Sequence, residues 1–357
     1  MPDSYPDYPR HDQILAYIED FAAQHDIERH ITFATRVDSA RREEGGGWTV
    51  TLDSGERRAY GGLCAATGMN WHARLPEFPG AWNRESYHSS HYRSAEEFRG
   101  KRVLIVGAGN SGCDIACDAA HSAERAFISV RRGYQFVPKY VFGMPTDVFA
   151  HTGPSLPHWL EERVFSFLIN RFLVGDLTRY GLPAPDHLIL RSHPIMNTQI
   201  LHHLGHGDLE ARPDVRELRG HEVEFKDGTK EEIDVIVWAT GYERVYPFLG
   251  EDDLDRREGA LDLYLNVFHR RYPDLFIIGL FETDGAAYPL YGAQAELIAA
   301  YLHARSRGTA QAFDRLRAND RSDLRGGRRY LSSARHAYYV KSDVYERALR
   351  RAASRLT

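Results

Sequence analysis

Residues 107–112, Gly107-Ala108-Gly109-Asn110-Ser111-Gly112, carry the clearest chemistry in this chain. They sit in KRVLIVGAGNSGCDIACDAA, directly after the apolar run 103–106 and directly before a helical pattern. In that setting G-x-G-x-x-G has a physical reading. The first glycine permits a tight turn, the second lets backbone approach a pyrophosphate, and the third lets helix and strand pack closely. The N–H groups at the positive end of the helix then face the phosphates. The end of the next strand decides which nucleotide fits. An acidic residue there would accept from a ribose 2′-hydroxyl, but Val130 is followed by Arg131 and Arg132. Guanidinium groups suit a 2′-phosphate in charge and in geometry. The expected ligand is NADPH rather than NADH.

Other reactive residues carry less. Cys113, Cys117 and His121 recur at helical spacing, but one helix face does not close a coordination shell, so they are read as packing against a sheet. His202, His203 and His206 have no matching cysteine or carboxylate cluster and are read as polar-loop histidines. No metal site and no side-chain catalyst is assigned. The chain has no Cys-x-x-Cys, which removes the redox centre of a disulfide reductase, and no Gly-x-Ser-x-Gly elbow for acyl transfer. No tyrosine is followed four positions on by lysine, as a flavin-independent reductase of the short-chain type would need.

The elements that must position the glycine loop follow from periodicity. Residues 103–106 and 126–130 read as strands flanking a helix over 114–123, a βαβ opening. Upstream, Ile14, Ile18, Phe21 and Ala22 share one face of a short helix, and 31–37 and 48–52 read as strands. The aromatic middle, 134–207, is expected to hold helices around 159–173. An internal repeat organises the rest. WTVTLDSGERRAYGGLCAATG (48–68) aligns without a gap on HEVEFKDGTKEEIDVIVWATG (221–241), matching Val50 with Val223, Gly55 with Gly228 and the closing Ala-Thr-Gly throughout. Each copy reads as strand, glycine turn, linker, buried strand, Ala-Thr-Gly. The chain thus holds two back halves of a dinucleotide-binding fold and one front half. The spacing from Gly107 to Thr240, stepped back from Thr67, ends before Met1, so a first βαβ unit is expected to precede the chain.

Composition sets the frame. Hydrophobic residues at 43% and charged residues at 27% describe a globular chain rather than a disordered one. A net charge of -5 gives no pull toward nucleic acid or anionic membrane. The cysteines (Cys64, Cys113 and Cys117) are too few for a disulfide scaffold. No apolar run reaches the length of a bilayer span, and MPDSYPDYPRH carries no signal segment. The expectation is a cytoplasmic protein with no nucleic-acid or membrane partner. Its oligomeric state is left open. The arginine-rich C-terminal stretch reads as the solvated face of a helix packed through Tyr338, Val340, Val344, Tyr345 and Leu349.

At this point the residues point to a family. The chain resembles the flavin-containing monooxygenases, with their N-hydroxylating and Baeyer–Villiger relatives. The likeness rests on GAGNSG, on the second Ala-Thr-Gly followed by Tyr242, and on ATGMNWHARLPEFPG at 66–80. The family's signature, Phe-x-Gly, three residues, His, three residues, aromatic, meets WNRESYHSSHY: His88 and Tyr92 match, Trp82 stands for the Phe, and Arg84 replaces the Gly. The resemblance implies an α/β fold: a Rossmann-like NADPH-binding domain plus an incomplete FAD-binding domain of the two-dinucleotide-binding flavoprotein type. Expected bounds are 1–96 for the FAD-side remnant, 97–245 for the NADPH domain and 246–357 for the return to the FAD side with C-terminal helices. It implies FAD beside NADPH, with Thr67 and Gly68, and Ala239, Thr240 and Gly241, where strand ends approach the cofactors; Gln294 is a further cofactor-side candidate. The implied reaction passes one oxygen atom of molecular oxygen, through a flavin hydroperoxide, to a small nucleophilic N or S compound or a ketone. The family's N-terminal FAD loop has no counterpart here, whether through a misassigned start or a shortened gene. A shortened NADPH-binding module without flavin is therefore the rival reading.

Overall fold

The computed structural model describes residues 1–152, 157–333 and 336–356. The chain forms two compact units, one of Met1–Leu63 with Tyr246–Leu254, the other of Cys64–Val245 with Asp255–Thr357.

In the smaller unit the expected first helix forms as α1 (His11–Gln24). The expected strand over 31–37 does not. Ala34 takes a left-handed φ of 50°, which breaks an extended run, and strand structure begins only at Val37. Strands β1 (Val37–Arg42), β2 (Trp48–Leu52) and β3 (Arg57–Tyr60) form an antiparallel sheet in that order. Trp48, Val50 and Leu52 are buried in alternation, the period a half-buried strand requires.

The larger unit opens within β4 (Leu63–Ala65), which is followed by β5 (His72–Ala73), β6 (Gly80–Trp82) and β7 (Glu85–His88). Then come β8 (Arg102–Val106), α2 (Asn110–Ser122) and β9 (Arg125–Ser129), the predicted βαβ opening. A small hairpin, β10 (Tyr140–Val141) with β11 (Met144–Pro145), leads to α3 (Thr146–Thr152) and α4 (His158–Leu168). A π-helical turn, Ile169–Val174, continues α4. After α5 (Gln199–His206) follow β12 (Glu210–Arg212), β13 (Val215–Gly220), β14 (Glu222–Phe225), β15 (Lys230–Glu232), β16 (Val235–Trp238) and β17 (Tyr242–Glu243).

A five-stranded sheet in the order β12-β9-β8-β16-β7 is parallel throughout. Its central strands are unbroken apolar runs because both faces are covered. Val103 and Ile105 pack with Cys113, Ala116 and Cys117 of α2. Leu104 and Val106 pack with Val223, Phe225 and Trp238 against the layer formed by β15-β14-β13-β6. Small residues on α2 let the helix lie close to the sheet, which is where the buried cysteines belong; burial pushes the Cys117 thiol up to about 11. Among the described residues no cluster of three or more His, Cys, Asp or Glu is placed to hold a metal.

The internal repeat folds as two like hairpins. In one copy Leu52 N–H donates to the Glu56 carbonyl and Gly55 N–H to the Leu52 carbonyl; in the other Phe225 donates to Thr229 and Gly228 to Phe225, all at 2.9 Å. Gly55 and Gly228 both turn through positive φ, 83° and 85°. The strands that follow, β4 and β16, enter separate sheets. β4 joins short antiparallel strands from 263–277, with Ile278 N–H donating to the Ala65 carbonyl at 3.0 Å. Helices α6 (Tyr288–Ser306), α7 (Gln311–Asn319) and α8 (Ser342–Ala353) enclose Phe268, Tyr301, Phe313 and Tyr345. The C-terminal arginines lie outside as expected, Arg347 paired with Asp343 and Arg350 with Glu346.

One ion pair ties the starts of the two central strands. Asp234 accepts from Arg102 Nε and the Arg102 backbone at 2.9 Å each, from Arg102 Nη2 at 3.0 Å, and from Arg84. Arg84 is the residue that replaces the signature glycine. The Arg102 guanidinium holds the Asp234 carboxyl down at about 2. Its stabilising contribution is therefore full above the ordinary carboxyl pKa and is lost as pH falls toward 2. Asp234→Asn is expected to lower unfolding free energy by about 1–2 kcal/mol at neutral pH, allowing for partial exposure, and by much less near pH 2, as read from denaturant melts at both pH values.

Candidate functional site

The glycine loop lies where β8 runs into α2, beside the end of β16. Gly107 has a φ of 108°, and a Cβ there would sit 2.5 Å from the Ala239 carbonyl oxygen. A Cβ on Gly112 would fall 1.9 Å from the Gly107 carbonyl oxygen and 3.1 Å from the Ala239 side chain. These two glycines let loop, helix and strand end close on one another. Gly109 differs: a Cβ there would meet nothing within 4 Å. Its missing side chain leaves open space in front of the helix. Gly109 is the N-cap of α2 and no side chain caps that end. The N–H groups of Asn110, Ser111 and Gly112 are thus the orphan donors of an uncapped helix terminus, at its positive pole. Ala108 is buried and can offer only backbone. The Asn110 side chain accepts from Met196 N–H at 2.9 Å and so holds the following segment across the loop.

The two arginines after β9 have different surroundings. Arg132 reaches Asp186 at 3.3 Å and His187 at 3.3 Å, and its guanidinium lies 5.5 Å from the Tyr134 ring centre. Arg131 is exposed and makes no ion pair among the described residues. Of the pair, Arg131 is the one available to an incoming phosphate.

The second Ala-Thr-Gly forms the far wall. Ala239 N–H donates to the Val106 carbonyl at 2.9 Å, the Thr240 hydroxyl donates to the Arg74 carbonyl, and Arg74 N–H donates to the Gly241 carbonyl at 3.0 Å. β17 pairs antiparallel with β5, which follows the first Ala-Thr-Gly. The turns are thereby brought side by side: Arg244 Nε lies 3.5 Å from the Met69 sulfur, next to Gly68, and Arg244 also pairs with Glu282 at 2.7 Å. Thr67 and Gly68 stand exposed at the end of β4. Gln294 is placed otherwise than its sequence reading suggests. It is fully buried, accepting from Gly279 N–H at 2.9 Å and donating to the Tyr345 hydroxyl at 2.7 Å, so both ends of its amide are spent on packing.

His88 is a residue whose role the sequence alone leaves unread. It is buried, with Nδ1 3.2 Å from Ser90 N–H and Nε2 3.0 Å from the Gly241 carbonyl. A backbone amide can only donate and a carbonyl only accept, so Nδ1 is the acceptor and Nε2 carries the proton. Burial pushes the His88 pKa down and favours this neutral form. Tyr92, the signature aromatic, donates to Asp118 on α2 at 2.8 Å and stacks on Phe98. The signature thus fastens the strand before the loop to the wall and to the helix. His202, His203 and His206 lie on helix α5 rather than in a loop. The Asn197 side chain accepts from Ile200 N–H at 3.1 Å and Gly207 closes the helix at a φ of 82°, two signals present in the sequence.

Residues 1–311 match the family model described as flavin-binding monooxygenase-like. Flavin-containing monooxygenase 5 of Homo sapiens is 32% identical over 311 residues, covering 81% of this chain and 58% of that protein. The chain thus spans somewhat over half the length of the curated relatives it matches. Two solved structures are similar in fold: cyclohexanone monooxygenase from Rhodococcus sp. Phi1 bound to NADP+ (TM-score 0.67, 19% identity, 96% of this chain and 82% of that one) and S-allyl-L-cysteine S-oxygenase from Allium sativum (TM-score 0.61, 20% identity, 99% and 69%). No helix among the described residues is long and apolar enough to cross a membrane.

The contrast between the glycines gives a test. Gly109→Val is expected to keep the thermal midpoint within about 2 °C while abolishing NADP+ binding by calorimetry. Gly112→Val is expected to cost about 2 kcal/mol or more of stability, because backbone lies where the side chain would go.

Proposed function

Because the chain belongs to the flavin-binding monooxygenase-like family, we propose that it is the NADPH-handling part of an NADPH- and FAD-dependent monooxygenase, inserting one oxygen atom of O2 into a small N or S nucleophile or a ketone. We place it in the cytoplasm, in keeping with its free cysteines. The observation that carries the reading is the open space at Gly109 before an uncapped helix end, with the exposed Arg131, which makes no ion pair among the described residues, as the cation for a 2′-phosphate.

In this reading the N–H groups of residues 110–112 take the pyrophosphate and Arg131 takes the 2′-phosphate. Arg132, already engaged by Asp186, shapes the Arg131 segment. Ala239, Thr240 and Gly241 wall the nicotinamide side, and Thr67 and Gly68 face the flavin side. His88 and Arg74 hold the wall in place through the Gly241 carbonyl. Flavin, when bound, supplies the oxygen-activating chemistry. The one G-x-G-x-x-G cradle of this chain is the loop at 107–112, so the flavin has a wall here but no phosphate cradle. That single cradle is also what favours the rival reading, an NADPH-binding module without flavin.

Two measurements test this. Arg131→Glu is expected to weaken NADPH by roughly 10–100-fold and NADH by only a few-fold in fluorescence titrations, with a smaller effect from Arg132→Glu; equal losses for both nucleotides would sink the 2′-phosphate assignment. Yellow flavin bound to the purified chain would support the monooxygenase reading. Colourless protein that still binds NADPH would instead establish the module reading.

A further inference from the structure

Residues 195–197 bridge two parts of the chain that NADPH needs at once. On one side they are bonded to the segment that follows the arginines. Ile195 N–H donates to the Gln135 carbonyl at 2.8 Å, Val137 N–H donates to the Ile195 carbonyl at 2.9 Å, and Phe136 and Ile195 form an isolated parallel bridge. On the other side they are bonded to α2. Met196 N–H donates to Asn110 Oδ1 at 2.9 Å, and Asn197 Nδ2 donates to Asp114 Oδ1 at 2.7 Å. Asn197 is buried, whereas Asp114 stands exposed on the helix. The arginine segment is held from elsewhere too. A Cβ on Gly133 would run into the Ala184 carbonyl, and Gln135 Nε2 donates to the His187 carbonyl at 2.6 Å.

The Asn197 amide divides its two ends between two tasks. Its oxygen accepts from Ile200 N–H at the start of α5, while its nitrogen makes the crossing to Asp114 and lies 3.7 Å from the Cys117 sulfur. That crossing matters differently to the two nicotinamide nucleotides. Both would place a pyrophosphate on the amides at the start of α2. Only NADPH also needs a cation held at a set distance from those amides. A cation on a segment free to shift has to be ordered when the ligand arrives, and that ordering costs affinity. A segment already bonded to α2 has met the cost in advance.

We infer that Asn197 is a positioning residue for nucleotide choice. Through its bond to Asp114 it fixes the Arg131 segment against α2, so that preference for a 2′-phosphate depends on a buried amide far along the chain from the arginine itself. The inference rests on the reading of Arg131 as the 2′-phosphate cation and adds a second determinant to it.

The test is fluorescence titration of the full chain with NADPH and with NADH, read as the ratio of the two affinities. Asn197→Asp keeps an acceptor for Ile200 N–H but cannot donate to Asp114. Asp114→Ala removes the acceptor instead, from an exposed position that the fold does not depend on. Each is expected to lower the NADPH-to-NADH ratio roughly five- to tenfold. A change of charge on α2 acts on the pyrophosphate common to both nucleotides and so leaves the ratio alone. Combining Asn197→Asp with Asp114→Asn reverses donor and acceptor at constant net charge, and is expected to return the ratio to within about twofold of the wild type. A merely structural role would lower both affinities, or the thermal midpoint, without moving the ratio. The inference is overturned if the single variants keep the wild-type ratio or if the exchange fails to restore it. Failure of the underlying reading shows elsewhere: Arg131→Glu would then weaken both nucleotides equally, and this inference would fall with it.

Discussion

The approach of the loop after β8 to the Ala239 carbonyl is the constraint around which the larger unit is arranged. That contact needs two positions without side chains, Gly107 for the strand end and Gly112 for the helix. Once they are met, α2 starts directly above the junction of β8 and β16, and its uncapped end points into the open space at Gly109. Ligand sites of parallel α/β sheets form at such strand ends. The candidate site is therefore built mainly from backbone, and its shape is set by sterics before any charge is considered.

Charge and hydrogen bonding then hold that arrangement at both ends of the sheet. At the starts of the strands Arg102, Arg84 and Asp234 tie β8 to β16. At the strand ends a buried neutral imidazole ties β7 to the turn after β16. The Arg84 departure from the family signature makes sense in this light: the side chain absent from a glycine is here an ion-pair partner of Asp234.

The parts of this architecture written in local sequence were readable in advance. The glycine loop, the βαβ opening and the repeated hairpins depend on residues within a few positions of each other, and each has its own turn signal. Other features depend on partners far along the chain. His88 meets Gly241 across 153 positions, so nothing near His88 announces its role. Arg131 and Arg132 look alike until Asp186 folds onto one of them. The α5 histidines read as a loop from their polar composition, which masks the Asn197 and Gly207 signals. The outward aromatics of α4, Trp159 and Phe167, could not be told from core residues, because periodicity identifies a face without saying which way it points.

The place of β7 has a practical consequence. This strand comes from chain that precedes the glycine loop, yet it forms the edge next to β16, all four of whose residues are buried. β6, also upstream, completes the second sheet beside β13. A recombinant cassette cut to begin at the apparent start of the Rossmann unit, near Gly100, would discard both. It would leave the amides and carbonyls of Val235–Trp238 as a bare apolar ribbon, the kind of edge that recruits a neighbouring chain and precipitates. The nucleotide-binding fold of this protein is not a portable module of contiguous sequence. Its outer margin is donated from the linker behind it.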